Sequence, residues 1–111
     1  MLKESVRLRI EAELSRGEAA RANGNEAMAR VCARRAAGVL IKEILAKRQI
    51  QPPSSAAFDL LKYFRELPGI SADIQQIVDH LIARVDSEHN LPEGIDLIQE
   101  TRWLVQVLEQ Q

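Results

Sequence analysis

The sequence predicts an all-α fold, an up-and-down antiparallel bundle of about five helices. Three observations carry that prediction. Apolar residues recur at three- and four-residue spacing along most of the chain, and no stretch alternates with the period of two that a strand requires. Turn chemistry at Asn23-Gly24-Asn25, Pro52-Pro53-Ser54-Ser55 and Pro68-Gly69 cuts the chain into helix-length pieces. One piece, Glu26 to Arg48, is apolar nearly all round, as a helix buried on several sides must be. The 111 residues are read as one domain spanning 1–111.

The first helix is expected from Leu2 to Ala22, with Leu2, Val6, Ile10 and Leu14 as its inward stripe. Gly17 lies inside it, where a glycine disfavours helix by about 1 kcal/mol relative to alanine. Close approach of a neighbouring helix would offset that loss. Gly24 can end this helix with a positive φ, and Asn25 can cap the next. The second helix, 26–48, is the expected spine. Val31, Leu40, Ile41 and Ile44 are expected to be almost fully buried, with Met28 filling the core beside them.

Two prolines then stop the helix, and Ser54 or Ser55 can cap a short third one over 56–67, with Phe58, Leu61 and Phe64 facing inward. Ser71 caps a fourth helix whose stripe is Ile74, Ile77, Val78, Leu81, Ile82 and Val85. Asp86 to Leu91 reads as a loop. Pro92 suits a first helical position, so the last helix is expected over 93–110. Trp103 and Val107 fall beside its core-facing set. That surplus of apolar surface predicts a homodimer.

Composition narrows the class of function. Apolar residues make up 46% and charged residues 28%, an ordinary globular balance. Cys32 is the only cysteine, so no internal disulfide and no cysteine-based zinc site can form. No apolar run reaches membrane-spanning length, and no signal-type segment follows the N-terminus; the cytoplasm is the expected compartment and no membrane partner is expected. The net charge of −1 hides an asymmetry. Residues 1–48 carry 11 Lys/Arg against 6 Asp/Glu, and residues 49–111 carry 4 against 10. Packing of the two halves accounts for part of this pattern. An anion-binding face on the first two helices would account for the rest.

Arg30, Arg34 and Arg35 are the candidate binding residues. Arg30 and Arg34 are four apart and share a helix face, while Arg35 points nearer Lys42. Guanidinium groups so placed fork onto a phosphate or pair with carboxylates. Cys32, in the spine, is expected to be buried and inert. His80 lies off the fourth helix's apolar stripe and is expected to be exposed. Neither His80 nor His89 has a metal-ligand spacing, and Asp79, Asp86 and Glu88 form no evident carboxylate pair. No glycine-rich phosphate loop is present. Arg84 precedes His89 by five residues. In that pairing Arg84 would hold a scissile phosphate, and His89 would act as general acid or base on an RNA 2′-hydroxyl.

The order of these segments resembles a known family. A small-residue first helix leads through a glycine turn into the long helix Ala27-Met28-Ala29-Arg30-Val31-Cys32-Ala33-Arg34-Arg35-Ala36-Ala37-Gly38-Val39-Leu40-Ile41-Lys42. A shorter pair is joined through Leu67-Pro68-Gly69-Ile70, and the last helix contains Asp96-Leu97-Ile98-Gln99-Glu100-Thr101-Arg102-Trp103-Leu104. Nearly the whole chain is similar in pattern to the HEPN family, the higher-eukaryote and prokaryote nucleotide-binding domain. The resemblance implies a helical bundle that forms a homodimer. It also implies either a metal-independent ribonuclease, often a toxin paired with a nucleotidyltransferase-like antitoxin, or a non-catalytic module for nucleotides or protein partners. No cofactor is implied.

In catalytic members an arginine and a following polar residue precede a histidine, and Arg84 and His89 match that spacing. Val85 stands where the polar residue belongs, and Asp86 and Glu88 would repel an RNA phosphate. The expected function is therefore a non-catalytic HEPN-like module for nucleotide or partner binding, in a toxin–antitoxin-type setting. A ribonuclease using Arg84 and His89 is the first alternative, and a structural adaptor without a ligand is the second.

Overall fold

The structure, a computed structural model, describes residues 2–83 and 94–110. Among these, five helices form and no strand does: α1 (Glu4–Ala22), α2 (Glu26–Lys47), α3 (Ala57–Arg65), α4 (Ala72–Ile82) and α5 (Leu97–Glu109). No described helix is long and apolar enough to cross a membrane.

Local chemistry explains where α1 and α2 begin and end. The Asn25 side chain accepts a hydrogen bond from the Met28 N–H at 3.0 Å, capping α2. At the end of α1, the Gly24 N–H reaches the Arg21 carbonyl and the Asn25 N–H reaches the Ala20 carbonyl, a Schellman closure. The end of α2 repeats it, with Gln49 N–H on Ala46 and Ile50 N–H on Leu45. Here the left-handed position is Gln49, at φ 59°, without a glycine. Leu2 is buried but precedes α1, which starts after Lys3.

The α1–α2 hairpin is the frame. Gly17 is buried, and a Cβ built on it would lie 3.1 Å from the Cys32 Cβ, 3.1 Å from Ile98 and 3.3 Å from the Ala29 carbonyl. The missing side chain lets α1, α2 and α5 meet, as the sequence suggested. Helix α2 packs against each of the other four helices. Ala29, Cys32, Ala33, Ala36, Ala37, Leu40, Ile41 and Leu45 are completely buried, and Ile44 nearly so. The spine is not closed on every side, however. Val31 is half-buried and Met28 is 39% exposed. With Arg35, Val39, Lys42 and Ala46 they form one stripe at helical spacing that no helix covers fully.

The shorter helices close the remaining faces. Ser71 caps α4 through the Ile74 N–H at 3.3 Å. Neither predicted serine caps α3: its N-cap is Ala56, whose N–H is accepted by the Ser54 hydroxyl at 3.2 Å. Leu60, Leu61 and Phe64 are buried, whereas Phe58 is half-buried. The Arg65 guanidinium grips Asp79 through two bonds, at 2.5 and 3.0 Å, tying α3 to α4. The last helix starts four residues later than expected. Gly94 has φ 85°, and the Asp96 carboxylate caps the helix through the Gln99 N–H at 3.1 Å.

The direction of α5 departs from strict up-and-down alternation. Arg7 pairs with Glu109, Arg21 with Asp96, and Arg102 with both Glu11 and Glu18. These pairs run in opposite sequence order along α1 and α5, so α5 is antiparallel to α1 and shares the direction of α2. They also join the basic first half to the acidic second half.

Two stability changes follow. Gln49→Gly should raise unfolding free energy by about 0.5–1 kcal/mol in urea melts, since a left-handed φ strains any residue with a Cβ. Gly38→Ala should lower it by about 1–3 kcal/mol despite alanine's better helix propensity. A Cβ at Gly38 would stand only 2.8 Å from the Ala57 Cβ at the start of α3.

Candidate functional site

The open stripe of α2 forms one wall of a groove. Opposite it stands a stripe of α1, where Val6, Arg9, Glu13 and Arg16 recur at three- and four-residue spacing. Arg35, Gly38, Val39, Lys42 and Glu43 line the α2 side, and Ser55, Ala57 and Leu60 close it from the α3 side. The space is about 620 Å³ and opens to solvent. Small residues shape it: Ala12 and Ala46 line it with short side chains, and Gly38 lets Ala57 of α3 close against α2.

Four cations and two carboxylates share this groove. Arg16 donates to the Glu13 Oε1 at 2.8 Å. Among the described residues, Arg9, Arg35 and Lys42 have no ion-pair partner. Outside the groove, Arg7, Arg21, Arg65 and Arg102 are paired with carboxylates. Glu26 and then Asp96 push the Arg21 guanidinium up from its ordinary value, and Glu11 and Glu18 do the same for Arg102. Groove cations left without carboxylates make a positive surface that favours an anion.

The groove's second feature lies deeper. Glu43 is only 9% exposed, and its Oε2 is sealed from solvent without a hydrogen-bond partner. The Glu13 Oε2 is also sealed and unpartnered. Buried carboxylate oxygens are ordinarily satisfied, so two in one groove are unusual.

The structure separates the three candidate arginines. Arg35 stands in the groove with Lys42. Arg34 turns away, and its Nε donates to the Leu81 carbonyl at 2.8 Å, satisfying a C-terminal carbonyl of α4. Burial pushes its guanidinium down from its ordinary value. Arg30 is half-buried and does not line the groove. Cys32 is fully buried.

His80 is not the exposed surface residue that the sequence predicts. It is half-buried, with its Nδ1 2.7 Å from the Glu100 Oε1, an α4–α5 contact. Arg84 and His89 lie outside the described residues. Among the described residues no cluster of three or more His, Cys, Asp or Glu side chains is placed to hold a metal ion.

Sequence reasoning missed Arg9, Arg16 and Glu43 as site residues. The available signal was the pairing of two charged stripes, 9/13/16 on one helix and 35/39/42 on the next. Comparison with protein-family models, curated proteins and solved structures gives no match.

The Asp96 cap generates a pH prediction. Burial works against its charge, but the Gln99 N–H and the Arg21 guanidinium outweigh it and hold the carboxyl below its ordinary value. A depressed carboxyl stabilises the fold above its unfolded pKa, near 3.9, and that contribution is lost as pH falls through the lower folded value. Urea melts should therefore show wild type losing stability more steeply than Asp96→Asn below about pH 4. Parallel pH profiles would remove Asp96 from the acid response.

Proposed function

We propose that this chain is a non-catalytic, HEPN-like binding module whose α1–α2 groove takes an anionic ligand of nucleotide size. The observation that carries the reading is the convergence of Arg9, Arg16, Arg35 and Lys42 on one groove, three of them without an ion-pair partner among the described residues. Arginine forks bind phosphate oxygens in pairs, and lysine adds a point charge beside them. The groove volume lies within the range of roughly 300–1,000 Å³ typical of small-ligand sites. The pattern of helices, loops and small residues supports the family part of the reading, and the unpaired cations support the ligand class.

The test is equilibrium binding of pyrophosphate and of ADP to the whole chain at low salt. Binding should weaken as salt rises, because the attraction is between exposed charges. Arg35→Ala and Lys42→Ala should each reduce affinity by roughly threefold to tenfold, the loss expected of a charge-assisted contact on an open surface. Failure of both ligands to bind at millimolar concentration would reject the reading. RNA incubated with the protein without metal should stay intact. Cleavage that disappears in His89→Ala would replace the binding module with a ribonuclease.

A further inference from the structure

We propose that the outer face of α1 docks a second copy of this chain, and that the two α1 helices lie side by side, parallel and in register. Eight of the 19 residues of α1 are charged. None of them falls on Ser5, Leu8, Ala12, Ser15, Ala19 or Ala22, which alternate at three- and four-residue spacing along the whole helix. All six are exposed, on the side opposite the buried Ile10, Leu14 and Gly17. Leu8 is 62% exposed, the most of any large apolar side chain among the described residues. Helix α1 rests on α2 and α5, and no described helix covers this face.

The charges beside this seam select the occupant. The spacing is that of a two-stranded coiled coil, in which the residues flanking the seam set partner and direction. One flank carries Glu4, Glu11 and Glu18, and the other carries Arg9 and Arg16. In a parallel pair the glutamate flank of each copy meets the arginine flank of the other. Glu4 then faces Arg9, and Glu11 faces Arg16. Reversing one helix would set glutamates against glutamates and arginines against arginines. The face is therefore complementary to itself, and in one direction alone.

The groups that would pair are available. Arg9 has no ion-pair partner among the described residues. Arg16 gives Glu13 one nitrogen and keeps further N–H donors. Glu11 accepts from Arg102, yet it is 56% exposed and its carboxylate has lone pairs to spare. Exposed pairs contribute little strength, so they set direction. Contact comes from Leu8 and from the close approach that serine and alanine allow between helices. Arg35 and Lys42 stand across the groove on α2 and take no part, so the pairing is read without any ligand. Trp103 and Val107, the apolar surplus on α5, take no part either.

The experiment is sedimentation equilibrium of the whole chain, with cysteine cross-linking to fix the register. A small interface of short side chains binds weakly, so the dimer should form between about 10 and 500 μM. Leu8→Asp should weaken it by about tenfold or more. Its circular dichroism and thermal melt should match wild type, since Leu8 is mainly exposed. Cys32 is fully buried, so a cysteine placed on the seam is the only reactive thiol. Under mild oxidation Ser15→Cys and Ala19→Cys should each give a disulfide-linked dimer. Gln76→Cys, exposed on α4, should stay unlinked.

Both seam cysteines link only in a parallel pair. In an antiparallel pair crossing at one of them, the two copies of the other would stand about 12 Å apart along the axis, too far to bridge. Linkage of one variant without the other therefore overturns the parallel register. Wild type that stays monomeric at about 500 μM overturns the proposal outright. A dimer that Leu8→Asp leaves intact places the interface on another face and overturns it as well. Equal linkage of Gln76→Cys means random collision and has the same consequence. Should Leu8→Asp lose its fold, the cysteine variants decide alone.

Discussion

The fold depends on how closely the other helices can approach α2. Side chains set the distance between packed helices, and small ones allow the shortest. Helix α2 carries Ala29, Ala33, Ala36 and Ala37 on faces with no exposure at all, and Gly17 meets it from α1. Those residues contribute little apolar area themselves. Their effect is to bring the larger residues of other helices, such as Leu14, Phe64, Val78 and Leu104, into one continuous core. A longer side chain at Gly17 would push against α2 and α5 together, so three helices respond to one position.

The same constraint leaves α2 open on one stripe. Four helices cannot surround a fifth completely when two of them are as short as α3 and α4, of 9 and 11 residues. The uncovered stripe runs through Arg35, Val39 and Lys42, and α1 faces part of it with Arg9 and Arg16. Charge is thus distributed by packing. Where α1 meets α5, arginines and carboxylates are matched across the interface. Where α1 meets the open side of α2, both partners present cations, and the surplus of the first half has no acidic helix to meet. The basic patch and the groove are therefore one consequence of the topology.

Much of the architecture was legible in the sequence. Five helices, the Asn25 and Ser71 caps, the buried Cys32 and the packing role of Gly17 all follow from spacing and turn chemistry. The departures have physical causes. Periodicity measures apolar content and not coverage, so Val31 and Met28 read as core although no helix fully covers their stripe. A last helix from 93 fits the turn chemistry, and Pro92 lies outside the described residues; the described helix begins at Leu97, where the Asp96 carboxylate beside Arg21 caps it. Arg34 and Arg35 are neighbours in sequence and serve different ends, because 100° of rotation sends one to the α4 terminus and the other to the groove. Glu43 could not be identified from sequence: it reads as one more charge on a helix, and only the packing of α1 and α3 against α2 shows that it is enclosed.

Glu43 also bears on what kind of selection shaped the groove. A spine helix in this fold has every physical reason to carry an apolar residue at a position nine-tenths buried. Placing a carboxylate there, with a sealed oxygen and no donor, works against the folded state, while the surrounding alanines and glycine favour it. Local conflict of that sort is expected where a site requires it and is otherwise removed, since apolar replacements are readily available. The unpaired cations at the mouth are compatible with mere solubility, because exposed charge is easily tolerated. The enclosed carboxylate is not, because burial without a donor disfavours a polar group whatever occupies the groove.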